Sequence, residues 1–204
     1  MEKSKYIDDL KDIKEMMSRS SRFISLSGLS GVSAGVVALA GALVAYQSVY
    51  SKQMSLGYNK LMINSDSVTT LLIIAIVTLV SALAAGIFFT LQKARKNNEK
   101  LWDNHSKRLI INLLIPLVTG GIICLMLLLK GYVGMVAPLT LVFYGLALVN
   151  AGKYTLTEVR SLGLVEIALG LLAFQFIGYG LMFWAIGFGF LHIIYGVFMH
   201  VKYK

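Results

Sequence analysis

The sequence has few of the residues that build disulfide-stabilised folds or metal centres. It contains one cysteine, two prolines and three histidines in 204 residues, and only 14% of its residues are charged. A single cysteine, Cys124, excludes an intramolecular disulfide and a metal site made of several thiolates. Because Cys124 lies in an apolar run, we interpret it as a packed and unreactive thiol.

The motifs of common enzyme classes are also missing. The chain has no glycine-rich phosphate loop, no H-E-x-x-H zinc motif, no G-x-S-x-G nucleophile turn and no C-x-x-C pair. We therefore predict that the protein is not an enzyme and that it uses neither a metal nor another cofactor. An intramembrane enzyme, in which glutamate, histidine and asparagine perform acid–base chemistry, ranks third among the functional hypotheses.

What the chain does contain is long apolar runs. Hydrophobic residues make up 57% of it, and runs of about 20 apolar residues are typical of helices that cross a bilayer. The pattern predicts an all-α membrane protein, a bundle of six transmembrane helices at about residues 23–46, 67–91, 109–129, 133–149, 159–178 and 181–200. Gly-Tyr turns at 131–132 and 178–179 also favour an arrangement of three hairpins.

A charged segment precedes this membrane domain, which we place at residues 22–204. Residues 1–21 carry one apolar stripe on a helix, formed by Tyr6, Ile7, Leu10, Ile13 and Met17. We predict a short amphipathic helix on the inner membrane surface. Two alternatives stay open, namely a docking helix for a cytoplasmic partner and a solvated helical lead-in.

The basic residues predict the orientation. Of the 19 lysines and arginines, three (Lys52, Lys60 and Lys130) fall on one side of the predicted spans, and the other 16 fall on the opposite side. The positive-inside rule then predicts a bacterial inner-membrane protein with both termini in the cytoplasm. The cytoplasmic boundary is marked by an arginine before each odd-numbered span, namely Arg22, Arg108 and Arg160.

The net charge of +9 bears on the partners. Basic loops beside membrane spans meet anionic lipid, so we expect the lipid bilayer as a partner and no nucleic acid. The first span also carries small residues at spacing four, Ser27, Gly31 and Gly35, which permit close helix packing. That ladder predicts either a central position in the bundle or an interface between identical subunits.

Two ionisable residues lie in the last two apolar runs. Glu166 and His192 are each 13 positions from Tyr179 in the connecting turn, so a tight hairpin would place them at the same depth. Each also has a glycine three positions before it and four positions after it, and these four glycines were expected to bring the two helices together. They are Gly163, Gly170, Gly189 and Gly196.

This pair is the candidate site, because a lone carboxylate in hydrocarbon is costly unless it is neutral or paired. A glutamate–histidine pair exchanges a proton near neutral pH, and the polar residues expected to surround it are Asn112, Tyr144 and Tyr195. The alternative is a structural hydrogen bond that locks the hairpin.

Two functional hypotheses follow. The first is a non-enzymatic membrane module, a sensor, regulator or assembly factor that acts through a membrane or cytoplasmic partner. The second is a small proton- or cation-coupled transporter or channel that uses the buried pair.

Overall fold

The computed structural model describes residues 27–51, 65–96 and 104–203, and the fold within these ranges is all-α. The predicted fold class is therefore confirmed. The predicted amphipathic helix at residues 1–21 and the boundary residue Arg22 lie outside the described residues.

The helices follow the apolar runs. Helix α1 covers Gly28–Ala45 and continues as a π-helical turn over Tyr46–Tyr50; α2 covers Ser65–Lys96, α3 Asn104–Leu129, α4 Val136–Ala151 and α5 Thr157–Gln175. The last helix, α6, has three consecutive parts: α-helical Gly180–Trp184, π-helical Ala185–Leu191 and α-helical His192–Lys202. Short 3-10 turns, Val133–Met135 and Ile177–Tyr179, lead into α4 and α6.

Five stretches are long and apolar enough to cross a membrane: Gly28–Tyr50, Asp66–Lys96, Ser106–Leu129, Val133–Ala151 and Ile177–Lys202. These helices indicate a membrane protein. Helix α5 is less apolar, because its 19 residues include Glu158, Arg160 and Glu166.

Helices α2 and α3 extend past the predicted apolar runs. Helix α2 continues to Lys96 instead of ending near residue 91, and α3 begins at Asn104 instead of residue 109. The added turn of α2 is rich in glutamine, lysine, arginine and alanine, which favour a helix in water as well as in lipid. Hydropathy marks the apolar core of a helix, and these helices continue beyond it.

The last helix, α6, connects two halves of the bundle: α1 and α2 form one half, and α3, α4 and α5 form the other. Helix α2 packs along α1, α1 packs along the second half of α6, and the first half of α6 meets α4. Helix α4 in turn lies between α3 and α5. The first two helix pairs are hairpins as expected, whereas α5 packs mainly on α4 rather than on α6.

Helices α1 and α6 are in backbone contact. A Cβ atom added to Gly28 would lie 2.4 Å from the backbone nitrogen of His200, and one added to Gly196 would lie 2.5 Å from that of Val32. Real Cβ atoms do not approach backbone this closely, so only glycine permits this helix spacing.

The predicted ladder of α1 lies in the same contact. Gly31 faces the Cα atom of Gly196, and Gly35 faces the carbonyl oxygen of Gly189. Ser27 is buried just before α1 begins. The ladder thus packs inside the chain.

The glycines on either side of Glu166 contact α4 rather than α6. Gly163 lies against Gly145 and Leu148, and Gly170 lies against Pro138 and Val142. The expectation that these glycines bring α5 against α6 is therefore wrong. Glycine spacing reveals a face that needs a close neighbour, but it does not reveal which helix the neighbour is.

The turn between α3 and α4 uses the conformational freedom of glycine. Gly131 has φ of +83°, a left-handed conformation that other residues rarely adopt. Its amide donates to the carbonyl of Leu128, and the amide of Tyr132 donates to the carbonyl of Leu127. This pair of hydrogen bonds is a Schellman motif, which ends α3 and sends the chain back along it.

Candidate functional site

Glu166 lies midway along α5, where α4, α5 and α6 meet. Its side chain is 0% exposed, and its carboxylate lies beside Gly187 of α6, near which Leu141 of α4 also packs. A Cβ atom on Gly187 would lie 2.5 Å from Oε2 of Glu166. The glycine at position 187 therefore makes the space that the carboxylate occupies.

Neither carboxylate oxygen of Glu166 has a hydrogen-bond partner among the described residues. The Nδ1 atom of His192 lies 3.6 Å from Oε1, which is beyond hydrogen-bonding distance. Nearly all buried polar groups are hydrogen-bonded, so such an exception calls for an explanation. A carboxylate here must either carry a proton or have a positive charge beside it.

His192, by contrast, has partners at both ring nitrogens. Its Nδ1 atom is 2.9 Å from the carbonyl oxygen of Gly187, and its Nε2 atom is 2.7 Å from the hydroxyl of Tyr144. Because a carbonyl only accepts hydrogen bonds, Nδ1 carries a proton. The ring is thus fixed by α4 on one side and by its own helix on the other.

This hydrogen-bond pattern accommodates one proton in two positions. When His192 is neutral, Nε2 accepts from the hydroxyl of Tyr144 and the proton resides on Glu166. When His192 is charged, its Nε2–H donates to the Tyr144 oxygen, and an ionised Glu166 has the positive charge 3.6 Å away. Rotation of one hydroxyl group switches the hydrogen bonds between these states.

The pair adjoins an irregular part of α6. Residues Ala185–Leu191 are π-helical, and Gly187 and Gly189 within this part are buried. Single π-helical turns inside α-helices are frequent at functional sites. The apolar periodicity of the sequence does not reveal this segment, and the only signal was its glycine content.

Of the three residues expected around the pair, Tyr144 is in direct contact with it. Tyr195 lies one turn further along α6, beside the buried cluster that includes Leu148 and Met199, and its hydroxyl has no hydrogen-bond partner among the described residues. Asn112 is directed to its own helix instead: its side-chain amide donates over 2.8 Å to the carbonyl of Arg108. A carbonyl four residues back is the nearest acceptor for such a side chain.

Aromatic rings continue from the pair towards the α5–α6 turn. The ring of Phe188 is 4.9 Å from that of Tyr144, 5.9 Å from that of His192 and 4.9 Å from that of Trp184. The apolar pattern of the sequence does not reveal that these rings adjoin the pair. They cover the side of His192 that faces the turn.

A second polar cluster lies at the opposite end of α6. Lys202 donates to the carboxylate of Glu158, and the hydroxyl of Tyr203 donates to the same oxygen over 2.9 Å. Burial raises the pKa of Glu158, but these hydrogen bonds lower it, and the net pKa lies below the ordinary value. Lys93 of α2 donates to the carbonyl oxygen of Tyr203, so the cluster connects α2, α5 and α6.

The boundary arginines are separate from both clusters. Arg108 and Arg160 are exposed, and the stem of Arg160 packs on Gly152. In the described part of the chain, no three histidine, cysteine, aspartate or glutamate side chains converge. Glu166 and His192 alone are fewer ligands than the three or four protein ligands typical of a zinc site.

Comparisons with protein-family models, with curated proteins and with solved structures gave no match.

Proposed function

We propose that the protein is a non-enzymatic, multi-pass membrane module that binds a proton at the Glu166–His192 pair and acts through a partner. Its class would be a sensor, regulator or assembly factor. One observation carries this proposal: both oxygens of the fully buried Glu166 lack a hydrogen-bond partner among the described residues.

The cost of burying charge explains why this observation points to a proton. An ionised Glu166 beside a neutral His192 would leave an uncompensated charge in the bundle, which costs several kcal/mol. The pair is therefore expected to keep one proton in addition to the one on Nδ1 of His192. Losing that proton, or gaining a second one, changes the charge at the junction of α4, α5 and α6, and this change is the signal that a sensor would use.

The surroundings of the pair favour a module over a transporter. A cavity between α1, α2, α4 and α6 is not lined by Glu166, His192 or Tyr144. Glu166 is 0% exposed, and Gly187 of α6 lies directly beside its carboxylate. A site that is packed in this way exchanges protons slowly and suits a switch better than a continuous path.

A partner is expected at α2. This helix packs mainly on α1. Within Asp66–Lys96, only 6% of the most apolar stretch is buried inside the chain. The exposed residues on it include Ile76, Val80 and Leu83. A spanning helix of a partner protein would pack on this apolar surface in place of lipid.

We further propose that α5 is a sixth span and that both termini are cytoplasmic. Helix α5 runs antiparallel to α4, with Arg160 near Gly152 at one end and Ile177 near Gly134 at the other. It therefore reaches the same depths as α4, which itself has the length and composition of a span. The basic loops on one side support this orientation.

Infrared difference spectroscopy across a pH step tests the proton site. Purified protein in lipid should give a carboxyl signal that is lost in Glu166→Gln and kept in the control variant Glu158→Gln. Its position should shift in Tyr144→Phe, because that change alters the neighbouring histidine. If Glu166→Gln removed no carboxyl signal from the wild-type difference spectrum, the proposal would be overturned.

The second candidate function, a proton- or cation-coupled transporter or channel, is favoured by the same unpartnered carboxylate. Flux measurements in proteoliposomes that contain a pH-sensitive dye separate the two. The module predicts no difference between protein-containing and empty vesicles. Proton flux in the wild type that Glu166→Gln abolishes and Glu158→Gln leaves intact would establish the transporter instead.

A further inference from the structure

A cavity lies between the two halves of the bundle, away from the Glu166 site. Its volume is about 170 Å³, and its wall is formed by α1, α2, the end of α3, the α3–α4 turn, α4 and α6. The helices α2 and α3 share no extensive contact in the described ranges, so the cavity lies between two separated flanks. Residues that line it include Ala45, Val68, Ala75, Val136, Thr140 and Trp184.

The wall is almost entirely apolar. Its polar side chains include Thr78, Thr140 and Tyr50, and the hydroxyl of Thr140 already donates to the carbonyl of Ala137 over 2.7 Å. A charged or strongly polar ligand would therefore lose its hydration with little compensation. A dry, apolar cavity of about 150 Å³ accepts a benzene-sized group, so this cavity is large enough for a hydrocarbon segment.

The shape of the cavity specifies the kind of hydrocarbon. Along α2 the lining runs from Val68 to Thr78, which is roughly 15 Å at 1.5 Å per residue. Half of a ~30 Å hydrocarbon core has the same length. The site is thus one leaflet deep, parallel to the helices and flanked by two helices that do not close it.

From this match we infer that the cavity binds one acyl chain of a bilayer lipid. The chain would enter sideways between α2 and α3 and lie against Val68, Ala75 and Trp184, with its ester end near Tyr50 at the end of α1. The inference is independent of the proposed proton site, since Glu166 does not line this cavity.

Trp184 provides a direct probe. The sequence contains two tryptophans, so a Trp102→Phe background leaves Trp184 as the only one. Brominated acyl chains quench tryptophan fluorescence on contact. In nanodiscs, quenching of Trp184 by phosphatidylcholine brominated in mid-chain should rise and saturate as expected for a single site.

Filling the cavity gives the decisive comparison. Ala75→Leu adds three carbon atoms at the cavity wall, whereas Ala84→Leu adds the same atoms on α2 at an exposed position outside the lining. Ala75→Leu should reduce the quenching at least about twofold, and Ala84→Leu should leave it unchanged. Equal quenching in the two variants would mean that Trp184 meets only bulk lipid, and the inference would be wrong.

Mass spectrometry under native conditions gives a second readout that does not depend on fluorescence. Wild-type protein extracted in mild detergent should retain one phospholipid per chain. Absence of retained lipid, together with linear quenching in the nanodisc experiment, would also overturn the inference. Retention that Ala75→Leu removes and Ala84→Leu preserves would support it.

Discussion

The Nδ1 atom of His192 lies 3.6 Å from Oε1 of Glu166, yet it donates its hydrogen bond to the carbonyl oxygen of Gly187, 2.9 Å away. The histidine is thus fully hydrogen-bonded without the glutamate, while the glutamate depends on the histidine for a compensating charge. This asymmetry means that the two residues contribute unequally to stability, although both belong to the proposed proton site.

The first prediction follows from the asymmetry. Glu166→Leu removes an unpartnered carboxyl group, so it should raise the free energy of unfolding by up to about 1–3 kcal/mol. His192→Leu leaves the hydroxyl of Tyr144 and the carbonyl of Gly187 without partners, so it should lower that free energy by a similar amount. Denaturant unfolding in detergent, followed by circular dichroism, measures both.

The double variant, with Glu166→Leu and His192→Leu together, completes a double-mutant cycle. A coupling of about 0.5–3 kcal/mol between the two changes is expected for residues in contact. Additive effects would contradict an energetic contact between them. If Glu166→Leu destabilised the protein as strongly as His192→Leu, then Glu166 would have a stabilising partner that the described residues do not show.

The second prediction concerns Tyr144. Tyr144→Phe deletes the hydroxyl that meets Nε2 of His192, leaving a buried ring nitrogen without a partner, and should cost about 1–3 kcal/mol. The matched control is Tyr132→Phe, because Tyr132 is 54% exposed in the α3–α4 turn. That variant should change the free energy of unfolding by no more than about 0.5 kcal/mol. Denaturant unfolding measures both variants. Equal losses of stability in Tyr144→Phe and Tyr132→Phe would show that the Tyr144–His192 hydrogen bond contributes nothing to stability.

The close approach of Glu166 and His192 followed from equal sequence distances to a turn. The expected glycine contacts, in contrast, went to other helices. Gly163 meets Gly145 of α4, and Gly196 meets Gly28 of α1. The spacing of residues along a helix identifies which of them share a face. Which helix packs on that face depends on the arrangement of all the helices, and the local sequence does not specify it.

Two further features of the site are not readable from the residues. The π-helical part Ala185–Leu191 shifts the positions of Gly187 and His192 relative to a regular α-helix. Asn112 looked equivalent to Tyr144 by depth, but its amide bonds to its own helix. Depth along the bundle was predictable, and rotation about each helix axis was not.

The third prediction tests the orientation. In a Cys124→Ala background, a cysteine at Ser55 should react with a membrane-impermeant maleimide in intact cells, and a cysteine at Asn98 should react only after the membrane is opened. The reason is the distribution of 16 of the 19 basic residues on one side. Labelling of the Asn98 variant in intact cells would invert the proposed topology.

The fourth prediction uses two glycines in different surroundings. A methyl group in Gly196→Ala would lie 2.5 Å from the backbone nitrogen of Val32, whereas a Cβ at Gly86 meets nothing within 4 Å. Gly196→Ala should therefore cost about 1–3 kcal/mol through overpacking. Gly86→Ala should stabilise α2 by up to about 1 kcal/mol, because alanine favours a helix.

Thermal unfolding in one detergent compares the two alanine variants directly. Leu43→Phe serves as a further control on α1, since Leu43 is 56% exposed. Equal unfolding temperatures for Gly196→Ala and Gly86→Ala would show that α1 and α6 separate easily, and the backbone contact would then lose its structural importance.

The last prediction concerns the pH dependence of the Glu158 cluster. Burial raises the pKa of Glu158, but hydrogen bonds from Lys202 and Tyr203 more than offset this effect, and the net pKa lies below the ordinary 4.5. A lowered pKa in the folded state means that the carboxylate stabilises the fold above the unfolded pKa. That contribution is lost as the pH falls through the folded value.

Glu158→Gln should therefore lower the unfolding temperature at about pH 7 and have a much smaller effect at an acid pH below the folded pKa, where the carboxyl is protonated in both states. Tyr203→Phe is the matched variant, since it removes one hydrogen bond to the same oxygen and leaves Lys202 in place. Tyr203→Phe should lower the unfolding temperature by less than Glu158→Gln does, with the same dependence on pH. A Glu158→Gln effect of equal size at both pH values would mean that the carboxylate charge does not hold the end of α6 on α5.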